Sequence, residues 1–90
     1  MRLEWDPEKA RRNLARRGIS FREASTVMGD PLAGTRTDHR HDAHEPREIT
    51  VGMSDRQRIL VVYHVRRGDR LRIIGARLPT ASERHDYEER

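Results

Sequence analysis

The sequence contains no cysteine, so no disulfide, thiolate metal ligand or catalytic thiolate is available to the protein. A lack of disulfides is typical of a reducing compartment. No apolar run approaches the roughly 20 residues that span a bilayer, and the N-terminus lacks the apolar segment of a signal peptide. We therefore predict a soluble, cytoplasmic protein that makes no contact with a membrane.

Lysine is nearly absent, because Lys9 is the only lysine among nineteen basic residues and all the others are arginine. An arginine bias favours bidentate recognition of phosphate, and it also follows from a GC-rich genome. The chain has 90 residues, with 33% hydrophobic and 38% charged, and its apolar residues are clustered and periodic. A chain of this length buries only roughly 60 to 65% of its unfolded surface, so we expect one domain spanning residues 1–90.

Residues 56–78 contain the densest β-branched and aliphatic segment of the chain, interrupted by the turn signal Gly68-Asp69. This pattern predicts two antiparallel strands of a hairpin. The same segment has one acidic residue and seven arginines, although the formal net charge of the whole chain is only +4. Such a local excess indicates a nucleic-acid or acidic-protein partner. The arginines are Arg56, Arg58, Arg66, Arg67, Arg70, Arg72 and Arg77.

The two strands of this hairpin differ in their patterns. The first is apolar on both faces, which predicts a central strand of the sheet. The second alternates between arginine and aliphatic residues, and strict alternation puts Arg72 and Arg77 on opposite faces. A β-bulge at Gly75 would turn Arg77 to the face of Arg72.

Two short helices are predicted before the hairpin, preceded by a short edge strand. Asp6-Pro7 is a helix start and Gly18 is a left-handed C-cap, which bound the first helix. Ser20 and Glu23 have the spacing of a capping box, which begins the second helix. That helix ends before Asp30-Pro31.

The segment from Gly34 to Arg47 is polar and contains three histidines among acidic residues. We favour a solvated loop, and a zinc or manganese site at His39–Glu45 is the alternative. The following residues, 49–53, alternate between apolar and polar and predict a half-buried strand. A second capping box, Thr80 with Glu83, begins a short C-terminal helix. The prediction is an α+β domain with an antiparallel sheet, two N-terminal helices packed on one face, and a short C-terminal helix.

A series of short motifs runs through almost the whole chain: Trp5-Asp6-Pro7-Glu8-Lys9-Ala10, Asn13-Leu14, Gly18, Ser20-Phe21-Arg22-Glu23-Ala24, Asp30-Pro31, Glu45-Pro46-Arg47, Gly52-Met53-Ser54, Arg72-Ile73-Ile74-Gly75-Ala76-Arg77, and Glu83-Arg84 with Tyr87. In this order they resemble the BrnT family, toxins of bacterial type II toxin-antitoxin systems. The resemblance implies a RelE-like fold, ribonuclease activity and a cognate BrnA-like antitoxin. It also implies that the toxin contacts DNA only indirectly, through this antitoxin. The family usually has histidine at the position of Arg17 and serine at that of Gly75.

A ribonuclease without metal or other cofactor needs a base for the ribose 2′-hydroxyl, cations for the phosphoryl oxygens and an acid for the leaving 5′ oxygen. Arg72 and Arg77 are candidates for the phosphate clamp, with a structural ion pair as the alternative. The other candidate catalytic residues are His64, Tyr87 and Glu83, and each has a structural alternative: a buried histidine, an anchor of the last helix and a helix cap. The candidate RNA-binding residues are Lys9, Arg47 and Arg70.

These observations predict a metal-independent endoribonuclease toxin that inhibits translation and growth and is neutralised by its antitoxin. One alternative is a non-enzymatic module whose basic surface binds RNA or an acidic partner, which predicts salt-sensitive binding without cleavage. The other is a metal-dependent nuclease, which rests on His39–Glu45 alone.

Overall fold

The computed structural model describes residues 2–38 and 46–90. Five strands and three helices follow one another in the order β1 (Arg2–Trp5), α1 (Pro7–Arg17), α2 (Phe21–Thr26), β2 (Gly34–Asp38), β3 (Arg47–Met53), β4 (Ile59–Arg67), β5 (Arg70–Arg77) and α3 (Ala81–Glu88). The predicted α+β class is confirmed. Both interpretations of the histidine-rich segment fall on residues 39–45, outside the described residues. Within the described part, no helix is long and apolar enough to cross a membrane.

The strands form a single mixed sheet in the order β1-β5-β4-β3-β2. The prediction of an antiparallel sheet is wrong at one edge, because β1 runs parallel to β5 while the other neighbours are antiparallel. No tight turn joins β1 to β5, so chain connectivity does not impose an antiparallel direction on this pair. The sequence also fails to reveal β2, a polar strand with an exposed Thr35–Thr37 stretch at the other edge.

The hairpin forms as predicted, with β4 at the centre of the sheet. Arg67 pairs with Arg70, so the turn consists of Gly68 and Asp69 alone. Gly68 has a φ of 63°, in the left-handed region that glycine adopts without a steric penalty.

A β-bulge interrupts β5 and decides where its arginines point. Ile74 has no partner on β4, because the pairing register shifts by one residue at this point. The bulge predicted at Gly75 is thus confirmed at the adjacent residue. Arg72 and Arg77 lie opposite valines of β4 that share a face, so both arginines lie on the same face of the sheet.

Two apolar clusters lie on opposite faces of the sheet, because alternate residues of β4 contribute to different clusters. The first joins Phe21 and other α2 residues to the sheet, and the Trp5 ring meets Phe21 edge-on at 6.3 Å between centroids. The second contains Tyr87 of α3, which is 7% exposed. The two ends of the chain therefore pack into different clusters.

Only one of the two hydrogen bonds of the predicted capping box forms at the start of α2. The Ser20 hydroxyl accepts a hydrogen bond of 3.0 Å from the Glu23 backbone N–H. The Glu23 carboxylate turns away and accepts from the Ser54 hydroxyl at 2.7 Å and from Arg58 Nε at 2.9 Å. The predicted return bond to the N-cap is therefore replaced, because a guanidinium is a stronger donor to a carboxylate than a backbone amide.

Candidate functional site

A cavity of about 610 Å³ opens between the last turns of α1 and the bulged end of β5. We call it the main cleft. Its size is within the range of about 300 to 1,000 Å³ that is typical of ligand sites. It is lined by Asn13, Arg16, Arg17, Arg47, Tyr63, Ile74, Gly75, Ala76 and Arg77.

The main cleft exists because β1 is shorter than β5. Strand β1 pairs with β5 only from Arg70 to Ile73, and beyond that point α1 lies against the outer edge of β5. Asn13 holds the helix there, since its side-chain oxygen accepts from the Ala76 N–H at 3.2 Å and its amide donates to the Ile19 carbonyl at 2.9 Å. One asparagine thus connects α1, the α1–α2 connection and the bulged strand.

The charge of the main cleft is positive. Among the described residues, its lining includes four arginines and no aspartate or glutamate. Guanidinium groups stay protonated at any working pH and match the oxygens of phosphate. The lining is therefore suited to an anion, and to a phosphodiester in particular.

Arg77 is held by two side chains at the wall of the main cleft. Its Nε donates to the Tyr63 hydroxyl at 3.1 Å, and its terminal nitrogens donate to the two Glu83 oxygens at 2.8 and 2.9 Å. Hydrogen bonds from Arg77 lower the pKa of Glu83 to about 2, although burial opposes the shift. The bond to Glu83 in turn raises the pKa of Arg77. The Glu83 capping box with Thr80 is also formed, as predicted.

Tyr63 is the phenol of the main cleft, and it lies beneath Arg77, whose guanidinium carbon is 5.6 Å from the ring centre. A phenol oxygen that accepts a bond from Arg77 directs its own proton to another acceptor. Tyr63, which lines the main cleft, therefore keeps its own proton available for a second acceptor.

A smaller cavity of about 260 Å³, the side cleft, continues from the main cleft along α1. The two cavities share Asn13, Arg16, Arg17, Arg47 and Ile74. Lys9 and Arg12 line the side cleft but not the main cleft.

The predicted site residues are only partly brought together. Arg77 and Arg47 line the main cleft, and Lys9 lines the side cleft. Arg72 and Arg70 instead share the carboxylate of Glu4, at 3.0 Å from Arg72 Nε and 3.3 Å from Arg70 Nη1. The hydrogen bond from Arg72 lowers the pKa of Glu4.

His64 and Tyr87 lie apart from both cavities. His64 is 1% exposed, with Nε2 at 2.7 Å from the Thr50 hydroxyl, and burial lowers its pKa. The Tyr87 hydroxyl donates to the Asp30 carboxylate at 2.6 Å, which also accepts from the Met53 N–H. These environments match the structural alternatives for the two residues, and their catalytic roles stay predictions.

Sequence reasoning missed Arg16, Tyr63 and Asn13 as site residues, and it singled out Arg17 only as a departure from the family pattern. The sequence contained a signal for Asn13, because this residue belongs to one of the motifs that carry the family resemblance. Arg16 and Arg17 resemble any basic last turn of a helix, which the helix dipole alone explains.

The comparison with known families identifies the chain. A family model described as the ribonuclease toxin BrnT of a type II toxin-antitoxin system matches residues 5–83. The chain belongs to the BrnT family. The crystal structure of the Brucella abortus ribonuclease toxin BrnT matches with a TM-score of 0.64 and 20% sequence identity, covering 89% of this chain and 97% of that chain, which shows a similar fold. A search of the curated proteins gave no match.

BrnT-family membership makes this chain a ribonuclease toxin of a type II system, and it implies an antitoxin partner. The two positions that depart from the BrnT pattern, Arg17 and Gly75, both line the main cleft. This BrnT-family protein therefore has a guanidinium and an uncovered backbone in the cleft at these two positions.

The Glu83–Arg77 pair predicts a stability difference that depends on pH. The folded-state pKa of Glu83, about 2, lies below its ordinary value of 4.5. Ionised Glu83 therefore stabilises the fold fully above pH 4.5, and this contribution is lost as the pH falls towards 2. We expect the stability difference between wild type and Glu83→Gln, measured by urea unfolding, to shrink across this window. The other carboxylates are present in both proteins and cancel, so a constant difference would contradict the assignment.

Proposed function

We propose that this toxin is a metal-independent endoribonuclease whose main cleft binds the scissile phosphate of an RNA strand. The observation that carries the proposal is the lining of the main cleft. The described lining combines Tyr63 with four arginines and contains no carboxylate. The arginines are Arg16, Arg17, Arg47 and Arg77. The four cations and the phenol supply two of the three groups that phosphate transesterification needs, the charge stabilisation and the acid, and water is the proton acceptor in the third role.

In the proposed reaction, the ribose 2′-hydroxyl attacks the adjacent phosphorus. The bond from phosphorus to the 2′ oxygen forms, the bond to the 5′ oxygen breaks, and the products are a 2′,3′-cyclic phosphate and a 5′-hydroxyl. The arginines stabilise the extra negative charge on the phosphoryl oxygens. Tyr63 donates its proton to the leaving 5′ oxygen, and the proton of the 2′-hydroxyl passes to water.

Glu83 acts in this scheme by positioning Arg77. A group with a pKa of about 2 is a weak proton acceptor at neutral pH, where an effective base has a pKa near the working pH. Its two bonds fix the orientation of the Arg77 guanidinium, and that guanidinium in turn fixes the Tyr63 hydroxyl. We propose that Arg72, which pairs with Glu4, lies outside the centre of the reaction.

The proposal includes the regulation of the toxin. The chain acts as a single domain with a RelE-like fold, and its antitoxin neutralises it by covering the main cleft with acidic groups. Charge complementarity supports this, because the surface that binds RNA phosphates also attracts carboxylates.

The test is incubation of the purified chain in excess EDTA with a short naked RNA and with translating ribosomes. We expect cleavage with 5′-hydroxyl and cyclic-phosphate ends in one or both substrates, and no cleavage where the 2′-hydroxyl is methylated. The Arg77→Ala protein, purified in the same way, controls for contaminating nucleases. Salt-sensitive binding without cleavage would favour the non-enzymatic module. Cleavage that EDTA abolishes would favour a metal-dependent nuclease.

A further inference from the structure

The proposed cleavage uses the main cleft and leaves the side cleft without a role. Lys9, Arg12 and Arg16 are spaced three and four residues apart, which places them on one face of α1. Because the two cavities share five lining residues, this face continues the main cleft as one basic groove.

We propose that the side cleft binds a second phosphate of the same RNA strand, next to the scissile phosphate. This inference rests on the proposed function of the main cleft. The side cleft, of about 260 Å³, adjoins the main cleft. The substrate class is an RNA strand, held at two successive points of its backbone.

The lining of the side cleft favours a nucleic-acid backbone over a protein. Ile74 is the only apolar residue among the described residues that line it, whereas protein interfaces rely on buried aromatic or aliphatic anchors. The remaining described residues of the lining are cations and Asn13, which are typical contacts of phosphate and sugar oxygens.

Helix α1 also contains an arginine outside both cavities, which provides a control position for this proposal. Arg11 is exposed, forms an ion pair with Glu8 and lines neither cavity. Arg12 lies 3.8 Å from the same carboxylate, and its side chain is 69% exposed. Exposed pairs of this kind contribute little to stability, so variants of either arginine keep the fold.

The experiment compares the wild type with the double variant Lys9→Ala/Arg12→Ala and the single variant Arg11→Ala. The probe is a labelled oligoribonucleotide methylated at every 2′-hydroxyl, which binds without being cleaved. Binding is measured by anisotropy over a series of salt concentrations. For the double variant we expect ~10-fold weaker binding. The slope of log K against log salt should also be shallower by about 0.7, the value for one phosphate contact of a single strand.

Cleavage kinetics add a second measurement. A phosphate that is bound equally in the ground state and the transition state affects KM and not kcat. We therefore expect the double variant to raise KM about as much as it weakens binding, with kcat unchanged. Arg11→Ala should resemble the wild type in binding, salt slope and KM.

The possible failures are distinguishable. An unchanged affinity and salt slope in the double variant, or an equal loss in Arg11→Ala, would overturn the second phosphate site while leaving the nuclease intact. A double variant that binds RNA normally but no longer binds the antitoxin would make the side cleft a protein interface. If the salt slopes of the wild type and the double variant differ as expected but the wild type cleaves no RNA, the second phosphate site would be supported and the nuclease refuted. A wild type that binds no RNA would overturn both.

Discussion

Replacing Arg77 with alanine is expected to lower kcat for RNA cleavage by at least about 100-fold, the usual effect of removing one group that stabilises transition-state charge. Two effects combine in this variant. The cleft loses a cation, and the Tyr63 hydroxyl loses the bond from Nε that orients it. The Glu83 carboxylate also remains beside the cleft without Arg77, with Arg36 at 3.6 Å as its remaining ion-pair partner, and its negative charge repels phosphate.

A second variant keeps this prediction independent of folding. Tyr63→Phe retains the ring beneath Arg77 and removes only the hydroxyl. We expect it to lower kcat by about 100-fold or more, as loss of a general acid does, with little effect on the binding of methylated RNA. Single-turnover cleavage together with circular dichroism measures both properties.

Arg56→Ala is the matched control, because Arg56 is an exposed arginine between β3 and β4 that lines neither cavity. It should cleave at the wild-type rate. Folded Arg77→Ala and Tyr63→Phe proteins that cleave within about threefold of wild type would place the chemistry elsewhere, and Arg72 would become the next residue to test.

The largest expected loss of stability follows from Glu23→Ala. Glu23 is 4% exposed and accepts hydrogen bonds from the Ser54 hydroxyl and from the Arg58 side chain, which also donates to the Gly18 carbonyl at 3.2 Å. Removal of the carboxylate leaves several donors unpaired, and breaking a buried ion pair costs about 3 to 5 kcal/mol. Because the Arg58 side chain is 36% exposed and regains water, we expect about 3 kcal/mol.

Such a loss is a large fraction of the free energy of unfolding, which is roughly 5 to 13 kcal/mol for a domain of this length. Urea unfolding measures it directly. Glu8→Ala is the control, because the Glu8 side chain is 46% exposed and its pairs with Arg11 and Arg12 lie on the surface. We expect a change of about 0.5 kcal/mol or less for this variant. A Glu23→Ala protein as stable as the Glu8→Ala protein would show that Arg58 and Ser54 find water or new partners without loss.

The parts of the fold that local patterns determine could be predicted from the sequence. The Gly68-Asp69 turn, the central position of β4 and the bulge beside Gly75 each depend on residues close in the chain. The direction of β1 depends on its distant partner β5, and β2 lacks apolar alternation because it lies at an edge. No local pattern contains that information. The Glu23 side chain illustrates the same limit. Its carboxylate binds Arg58, which is far away in the sequence, instead of the backbone N–H of the N-cap residue as predicted.

The sequence could predict only those residues of the candidate site whose type alone indicates their role. Arg77, Arg47 and Lys9 were chosen for their charge, and all three line the groove. Tyr63 was overlooked because its importance comes from Arg77 and from α1, which meet it only in the folded chain.

The parallel pairing of β1 with β5 has a consequence for synthesis of the toxin on the ribosome. Arg2 lies beside Arg70, so β1 stays unpaired until synthesis of the chain has reached β5. Helix α1 follows β1 directly and supplies one wall of the groove. A nascent chain that has been made only as far as β4 consequently lacks the strand that holds β1 and forms the second wall of the main cleft.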